Sequence, residues 1–169
     1  MNLKKVTKIT IEKQGSLVLI QSPTEEEYRL LTNWRRKNRR WFRDAKPVTL
    51  TSTKKWWKTV QDNPLRVLYW VIDKKGNKIG HMGLNRFKDT SCELDNVIRG
   101  LDISPGLMGM AAKSLIRWTL KTLPIKIIYL QTNFDNLHAI KFYQKYGFKI
   151  VKNSRPLIKM RYFPQAARV

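Results

Sequence analysis

The second half of the chain alternates strand-length apolar runs with helical periods, and this alternation constrains the fold more than any other feature. Strands are predicted over residues 92–100 and 125–132, and each is followed by a helical period, from Met110 onward and over 136–146. Helices that each follow a strand pack on the faces of a sheet. We therefore predict one central sheet covered by helices.

The first half supplies further elements of the same domain. A strand is predicted over 16–21 and a helix from 22 toward 40, which two overlapping capping boxes can start: Ser22 with Glu25 and Thr24 with Glu27. A second helix is expected from Ser52 or Thr53. Strands over 67–72 and 78–87 form a hairpin, and 148–151 with 157–162 form a last strand pair. Residues 1–169 are thus predicted to form a single domain of mixed α/β (α+β) class.

The charge of the chain points to a polyanionic partner. The sequence holds 34 Lys and Arg against 12 Asp and Glu, a formal net charge of +22. Nucleic acid, a ribosome, an anionic membrane face or a phosphate-bearing small molecule would each suit it. The alternative is a purely compositional excess of lysine, because net charge bears on association and not on fold.

Two compositional features bear on the compartment. No apolar run approaches the ~20 residues that a membrane-spanning helix needs. The single cysteine, Cys92, cannot form an internal disulfide, so a reducing cytoplasm is the expected location. Two histidines and one cysteine are too scattered to form a metal site, so no metal is expected.

A glycine-bearing loop joins the strand 92–100 to the next helix. In residues 101–112 (LDISPGLMGMAA), small residues enter the helix and leave backbone N–H groups pointing outward. Together with the helix dipole, these groups suit a pyrophosphate. An ordinary glycine-bearing connection is the alternative.

A second motif follows the apolar run 125–132. Residues 136–148 read N-x-x-A-x-x-F-Y-x-x-x-G-F, which resembles the closing motif of the GNAT superfamily of acyl-CoA N-acetyltransferases. The resemblance covers roughly 66–162. It implies a mostly antiparallel central sheet flanked by helices, acetyl-CoA as acyl donor, and CoA bound where the strands 92–100 and 125–132 separate.

The resemblance also assigns donor-binding positions. In the family pattern, Arg or Gln is followed by two residues, Gly, one residue, and then Gly or Ala. Gly106, Gly109 and Ala111 fit this pattern, with Gly106 in the Arg/Gln place. A register shifted by one residue begins at Leu107. The expected donor-binding residues are Leu101, Ile103, Leu107, Met108, Gly109, Met110, Ala111, Ala112, Asn136 and Tyr143.

Catalytic roles follow from the same resemblance. Tyr143 would donate a proton to the leaving thiolate, although a core aromatic is the alternative. Because an amine must be neutral to attack, a base is needed, and Glu93 is ranked first, His81 second and Asp95 third. For Glu93 and Asp95 the alternative is charge balance in a very basic chain. For His81 it is a hydrogen-bonded histidine on a half-buried strand. A backbone N–H of the strand 92–100 would polarise the thioester carbonyl.

The acceptor is expected among the basic and aromatic residues of the first helix and the strand 92–100. The string 93–100 (ELDNVIRG), followed by 105–108 (PGLM), resembles GNAT enzymes that acetylate nucleotide-linked amino sugars. An amine acceptor bearing phosphate is therefore predicted to contact Trp34, Arg35, Arg36, Asp95 and Arg99.

Two other hypotheses about the function remain open. The acceptor can be a protein N-terminus or lysine, as in ribosomal acetyltransferases, or the chain can be a basic nucleic-acid-binding module on a GNAT scaffold. Convergence of Arg35, Arg36, Arg99 and His81 beside Tyr143 would favour the phosphorylated small acceptor. A monomer or a homodimer is expected.

Overall fold

The computed structural model describes residues 3–42 and 46–164. Arg43 and Asp44, which follow the predicted first helix, lie outside those ranges. Within them no helix is long and apolar enough to cross a membrane. The helices are α1 (Glu25–Lys37), α2 (Leu50–Gln61), α3 (Leu107–Thr122) and α4 (Leu137–Lys145), with short 3-10 turns at Leu3–Lys5 and Arg39–Trp41. The strands are β1 (Lys8–Ile11), β2 (Gly15–Leu19), β3 (Val67–Asp73), β4 (Lys78–Lys88), β5 (Ser91–Arg99), β6 (Ile127–Asn133), β7 (Phe148–Ser154) and β8 (Leu157–Tyr162).

The strands form one eight-stranded sheet in the order β1-β2-β3-β4-β5-β6-β8-β7. Every neighbouring pair is antiparallel except β5 and β6. These two are parallel and pair only from Ser91 to Glu93 with Ile127 to Tyr129. Beyond that point they separate, and the sheet opens between them. The predicted mixed, mostly antiparallel sheet with flanking helices is confirmed.

Helix α1 starts at one of its two predicted capping boxes. The Thr24 side chain accepts a hydrogen bond from Glu27 N–H, and the Glu27 side chain accepts one from Thr24 N–H. The box built on Ser22 is not used, and α1 ends at Lys37 rather than running on to residue 40. The helix therefore begins where three glutamates face the positive end of its dipole.

Two predicted helix starts are wrong. Helix α2 begins at Leu50, because Thr49 forms a reciprocal cap with Ser52; the predicted caps Ser52 and Thr53 lie inside the first turn. Helix α3 begins at Leu107, three residues before the predicted Met110. Strand β1 was not predicted at all, since KITI is only four residues long.

Helices cover the two faces of the sheet and bury two apolar clusters. On one face α3 packs over Val67, Tyr69 and Val71 of β3, and on the other α1 and α2 pack over Leu68 and Trp70. This alternation is the period of a strand buried on both sides. Helix α4 adds Ile140 to the α3 side.

A β-bulge interrupts β5 at its middle. Asp95 pairs with Gly83 and Ile98 with His81, so Asn96 and Val97 both lie opposite the single residue Met82. Asn96 has a φ of 51°. The extra residue reverses the alternation along β5: Leu94 belongs to the α3 side, whereas Ile98 belongs to the α1 and α2 side.

Candidate active site

A cleft opens where β5 and β6 separate. It consists of a larger cavity of about 610 Å³ beside α1 and α2, and a smaller cavity of about 470 Å³ beside the start of α3. Residues that line both cavities join them into one continuous cleft: Asn38, Trp41, Val97, Asn136, Ala139 and Tyr143. Two substrates can therefore meet at this shared wall.

The start of α3 forms one side of the smaller cavity, to which Met108 and Gly109 both contribute. Gly106 caps the helix with a φ of 80°, a conformation that glycine adopts without strain. The N–H groups of Gly109 and Met110 both donate to Gly106 O, while Met108 N–H has no partner among the backbone bonds of the described residues. A free N–H at the positive end of a 16-residue helix suits a phosphate or diphosphate group.

Gly109 also allows α3 and α4 to touch. A Cβ on this residue would lie 1.9 Å from the Tyr146 ring, so only glycine fits. Tyr146 lines the smaller cavity as well. The glycine therefore shapes the wall of the cavity.

The other predicted loop positions divide into two groups. Leu107, Ala111 and Ala112 are buried in the core under α3 and do not line the cleft. Leu101 and Ile103 are exposed but lie outside the smaller cavity, and Ile103 instead lines a separate depression with Met110. Only Met108 and Gly109 of the loop positions are brought to the cleft.

Asn136 stands at the start of α4 and lines both cavities. Its Oδ1 accepts a hydrogen bond from Ala139 N–H at 3.2 Å, which caps the helix. The side-chain amide N–H groups are not needed for this cap. They remain suited to donate to a carbonyl in the cleft.

Tyr143 lies at the shared wall of the cleft. Its ring packs edge-on against Phe142 and Phe148, at centroid distances of 5.3 and 5.7 Å. Burial of the hydroxyl, followed by the charge of Asp95, raises the pKa of Tyr143 above its ordinary range. The phenol is therefore protonated at neutral pH and can act as a proton donor.

Two carboxylates of β5 line the larger cavity, each in an ion pair. Asp95 Oδ2 lies 2.8 Å from Arg66 Nη2, and Glu93 Oε2 lies 3.0 Å from Arg86 Nη1. Both side chains are on the α1 and α2 side, because they precede the bulge. They are the acidic residues among those lining the larger cavity.

Arg35 provides a positive charge in the larger cavity. Its guanidinium stacks on the Trp56 ring at 3.9 Å and lies 5.0 Å from the Phe42 ring. Its Nε–H is buried and has no hydrogen-bond partner among the described residues. Burial, together with repulsion from Arg66, lowers the pKa of Arg35 to about 10. It is a desolvated cation, and an anion would stabilise it.

Arg36 and Arg99 do not line the larger cavity with Arg35. Arg36 lines neither cavity, since its Nε–H donates to Val48 O at 3.3 Å. Arg99 lies at the smaller cavity and forms an ion pair with Asp102.

Trp34 and His81 are in the core. Trp34 is 2% exposed and packs against Gly100, where a Cβ would meet its ring. His81 has no exposed surface and lines neither cavity. The convergence of Arg35, Arg36, Arg99 and His81 that would favour a phosphorylated small acceptor is therefore not observed, and of these four only Arg35 lines the larger cavity.

Sequence reasoning did not assign Arg66 or Trp56 to the site. Adjacent helical residues point about 100° apart, so one tryptophan of the pair Trp56–Trp57 had to face away from the core. The structure buries Trp57 and turns Trp56 to the cleft. Arg66 had no local signal, because its partner Asp95 lies 29 residues away.

Comparisons with known proteins agree with this architecture. A family model described as "Acetyltransferase (GNAT) domain" matches residues 17–149. No curated protein sequence matches the chain.

Similar solved structures share the fold at low sequence identity. The ribosomal L7/L12 alpha-N-protein acetyltransferase RimL is 11% identical with a TM-score of 0.74, covering 93% of this chain and 94% of that one. The nucleotide-linked sugar GNAT FdhC is 16% identical with a TM-score of 0.73, covering 90% and 87%. The Campylobacter jejuni N-acetyltransferase PseH, in complex with acetyl coenzyme A, is 15% identical with a TM-score of 0.68, covering 88% and 98%.

Proposed function

The chain belongs to the GNAT acetyltransferase family, and we propose that it moves the acetyl group of acetyl-CoA to the primary amine of a small phosphate-bearing acceptor. A nucleotide-linked amino sugar is the leading candidate for that acceptor. The observation that carries the proposal is Arg35, a desolvated cation in the larger cavity.

Acetyl-CoA fits the smaller cavity and the start of α3. The diphosphate of the donor would accept hydrogen bonds at the N-terminus of α3, around Met108 and Gly109. The amide of Asn136 would meet the pantetheine arm at the wall that both cavities share. Cys92 is free and buried, which suits a reducing compartment, and we propose a cytoplasmic location.

The reaction needs two proton transfers. The neutral amine attacks the thioester carbonyl carbon, a C–N bond forms, and the C–S bond then breaks. Tyr143 gives its proton to the leaving thiolate, which its position at the shared wall and its protonated state allow. The proton lost by the amine goes to a carboxylate of β5, Glu93 or Asp95, directly or through water.

The chemistry of the larger cavity supports a phosphorylated acceptor. Arginine binds phosphate through two parallel N–H groups, and its stacking on Trp56 holds the guanidinium plane in place. The exposed part of an aromatic ring can also stack a nucleotide base. Glu93 and Asp95 line the same cavity and would receive the amine.

A transfer assay tests the proposal. Acetyl-CoA consumption is measured with a panel of amines that pairs each nucleotide-linked amino sugar with its phosphate-free sugar. We expect turnover of the phosphorylated members and an Arg35→Met variant whose KM rises about tenfold for these alone. Lys58 provides a matched control, because it is exposed and pairs with Asp62 away from the cleft. Equal turnover of both members of each pair would contradict the acceptor assignment.

A protein N-terminus is the second candidate acceptor. Exposed cations stand on the segment that edges the cleft, including Lys37, Arg39, Arg40 and Lys46. They would attract an acidic peptide. Turnover of acidic peptides with no turnover of amino sugars would establish this alternative.

A further inference from the structure

We infer that His81 is a positioning residue that, through Asn96, fixes the β5 bulge and aims the Val97 N–H at the carbonyl of the bound thioester. This inference rests on the proposed acetyl transfer and adds a role for a side chain that never touches either substrate. It differs from the role of general base, for which His81 was ranked second on the sequence.

The His81 ring makes one hydrogen bond and packs against two aromatic rings. Its Nδ1 lies 2.8 Å from Asn96 O. The ring stacks on Trp34 at a centroid distance of 6.1 Å and meets Trp70 edge-on at 6.3 Å. Since the residue has no exposed surface, the Nδ1 contact has one fixed geometry.

The proton on His81 is fixed by its partner. A carbonyl oxygen only accepts, so Nδ1 carries the hydrogen and donates it to Asn96. Burial is the main cause that lowers the pKa of His81 to about 4, with repulsion from Arg35 acting in the same direction and the Asn96 bond and Asp95 opposing it. The ring is neutral at pH 7, and its Nε2 has no hydrogen-bond partner among the described residues.

The bond from His81 settles the orientation of one peptide group. Asn96 O points toward the ring of His81, a residue of β4. Because a trans peptide places N–H and C=O on opposite sides, the N–H of Val97 points away from the His81 ring. Among the described residues, β6 pairs with β5 only as far as Glu93, so no described strand occupies the β6 edge of β5 at the level of Val97. Val97 lines both cavities of the cleft.

An N–H at this place has a clear chemical use. As the amine attacks, negative charge develops on the thioester oxygen, and a preorganised backbone donor stabilises it. The loss of one such donor lowers kcat by about 10²–10³-fold in other acyl-transfer enzymes. Asn96 adopts a positive φ in the bulge, and the hydrogen bond from His81 holds its carbonyl in this conformation.

Three variants separate the donor from the shape of the ring. In His81→Asn the amide nitrogen stands two bonds from Cβ, as Nδ1 does, and can still donate to Asn96 O. In His81→Gln the amide lies one bond further, where Nε2 was. His81→Leu has no donor. Asn and Gln are matched in polarity, so their difference isolates the position of the donor even if the Leu variant does not fold.

Infrared difference spectroscopy of acetyl-CoA labelled with ¹³C at the acetyl carbonyl reports the inferred contact without any acceptor. We expect the carbonyl band of acetyl-CoA bound to wild type to lie at lower frequency than that of free acetyl-CoA. The His81→Asn variant should retain this shift, whereas His81→Gln and His81→Leu should lose most of it. The Kd of these two variants for CoA should change less than about twofold. With an acceptor, kcat of the Gln variant falls about 10²-fold at unchanged KM.

The outcomes are distinct. No binding of acetyl-CoA to folded wild type would overturn the proposed function, and this inference with it. Binding without a band shift, or an equal shift in the Gln and Asn variants, would overturn the role of His81 alone.

Discussion

Arg66 donates both its Nε–H and its Nη2–H to the same oxygen of Asp95, Oδ2, at 3.2 and 2.8 Å. The two side chains are 15% and 21% exposed, so the pair is partly shielded from water. The charge of Asp95 also acts on two other residues of the larger cavity, since it contributes to the pKa values of Arg35 and Tyr143. The ion pair therefore bears on the electrostatics of both Arg35 and Tyr143.

This pair predicts a coupling that a double-mutant cycle can measure. Arg66→Met leaves Asp95 without its partner, and Asp95→Asn leaves Arg66 without a counter-charge. We expect the double variant to lose less stability than the sum of the two single losses. The difference, the interaction energy from urea unfolding, should be about 1–3 kcal/mol. Purely additive losses would show that the contact contributes nothing.

Tyr143→Phe should affect chemistry more than binding. The Phe142 and Phe148 contacts involve the ring and are kept, so the free energy of unfolding changes little. Without the hydroxyl, the thiolate leaves unprotonated, and we expect kcat to fall about 10²-fold or more while the Kd of acetyl-CoA stays within about threefold. Parallel losses in kcat and in donor affinity would assign the residue to packing instead.

Gly109→Ala should displace Tyr146 and weaken donor binding. The added Cβ would overlap the Tyr146 ring, at a cost of about 1–3 kcal/mol of stability. In a Tyr146→Ala background the same change meets no ring. We therefore expect titration calorimetry and thermal unfolding to show that Gly109→Ala is costly in wild type and nearly neutral in the Tyr146 variant.

His81 should make stability depend on pH. An unfolded histidine titrates near 6.5, whereas the folded one titrates at about 4. Between these values the unfolded chain binds more protons, so stability is complete above pH 6.5 and falls as the pH drops toward 4, by up to about 3 kcal/mol. Below pH 4 this residue causes no further loss.

The difference between wild type and His81→Asn isolates that contribution, because Arg35, Asp95 and the other titrating groups are present in both. Urea unfolding at pH 7.5, 5.5 and 4.5 should show the two proteins converging as the pH falls. A constant difference across this range would mean that the pKa of His81 is the same in the folded and the unfolded chain.

The parts of the site that were predictable depend on local spacing. Asn136 and Tyr143 are seven residues apart on one helix, and a fixed offset on a helix gives a fixed direction. Their role beside the donor was implied by the resemblance of the 136–148 motif to the GNAT family, and both line the cleft. The strand-to-helix alternation likewise predicted the order of the elements that form the opening between β5 and β6.

The parts that were not predictable depend on pairing between distant strands. The bulge at Asn96 arises from the register of β5 against β4, and the strand alternation carries no sign of it. Trp34, on a helix with basic neighbours, was expected in the cleft, but α1 lies over β3 and β4 so that this ring packs into the core. Side-chain direction therefore required the tertiary arrangement, as did the assignment of Arg66.

The wall common to the two cavities also has a kinetic meaning. If one substrate binds on each side of Tyr143, the acetyl group can pass directly from donor to acceptor, and no covalent acetyl-enzyme intermediate is required. The chain has one cysteine, Cys92, and burial and the nearby Glu93 raise its pKa to about 12, so it is a poor nucleophile. Initial-velocity plots should therefore intersect, as for an enzyme that releases no product until both substrates are bound.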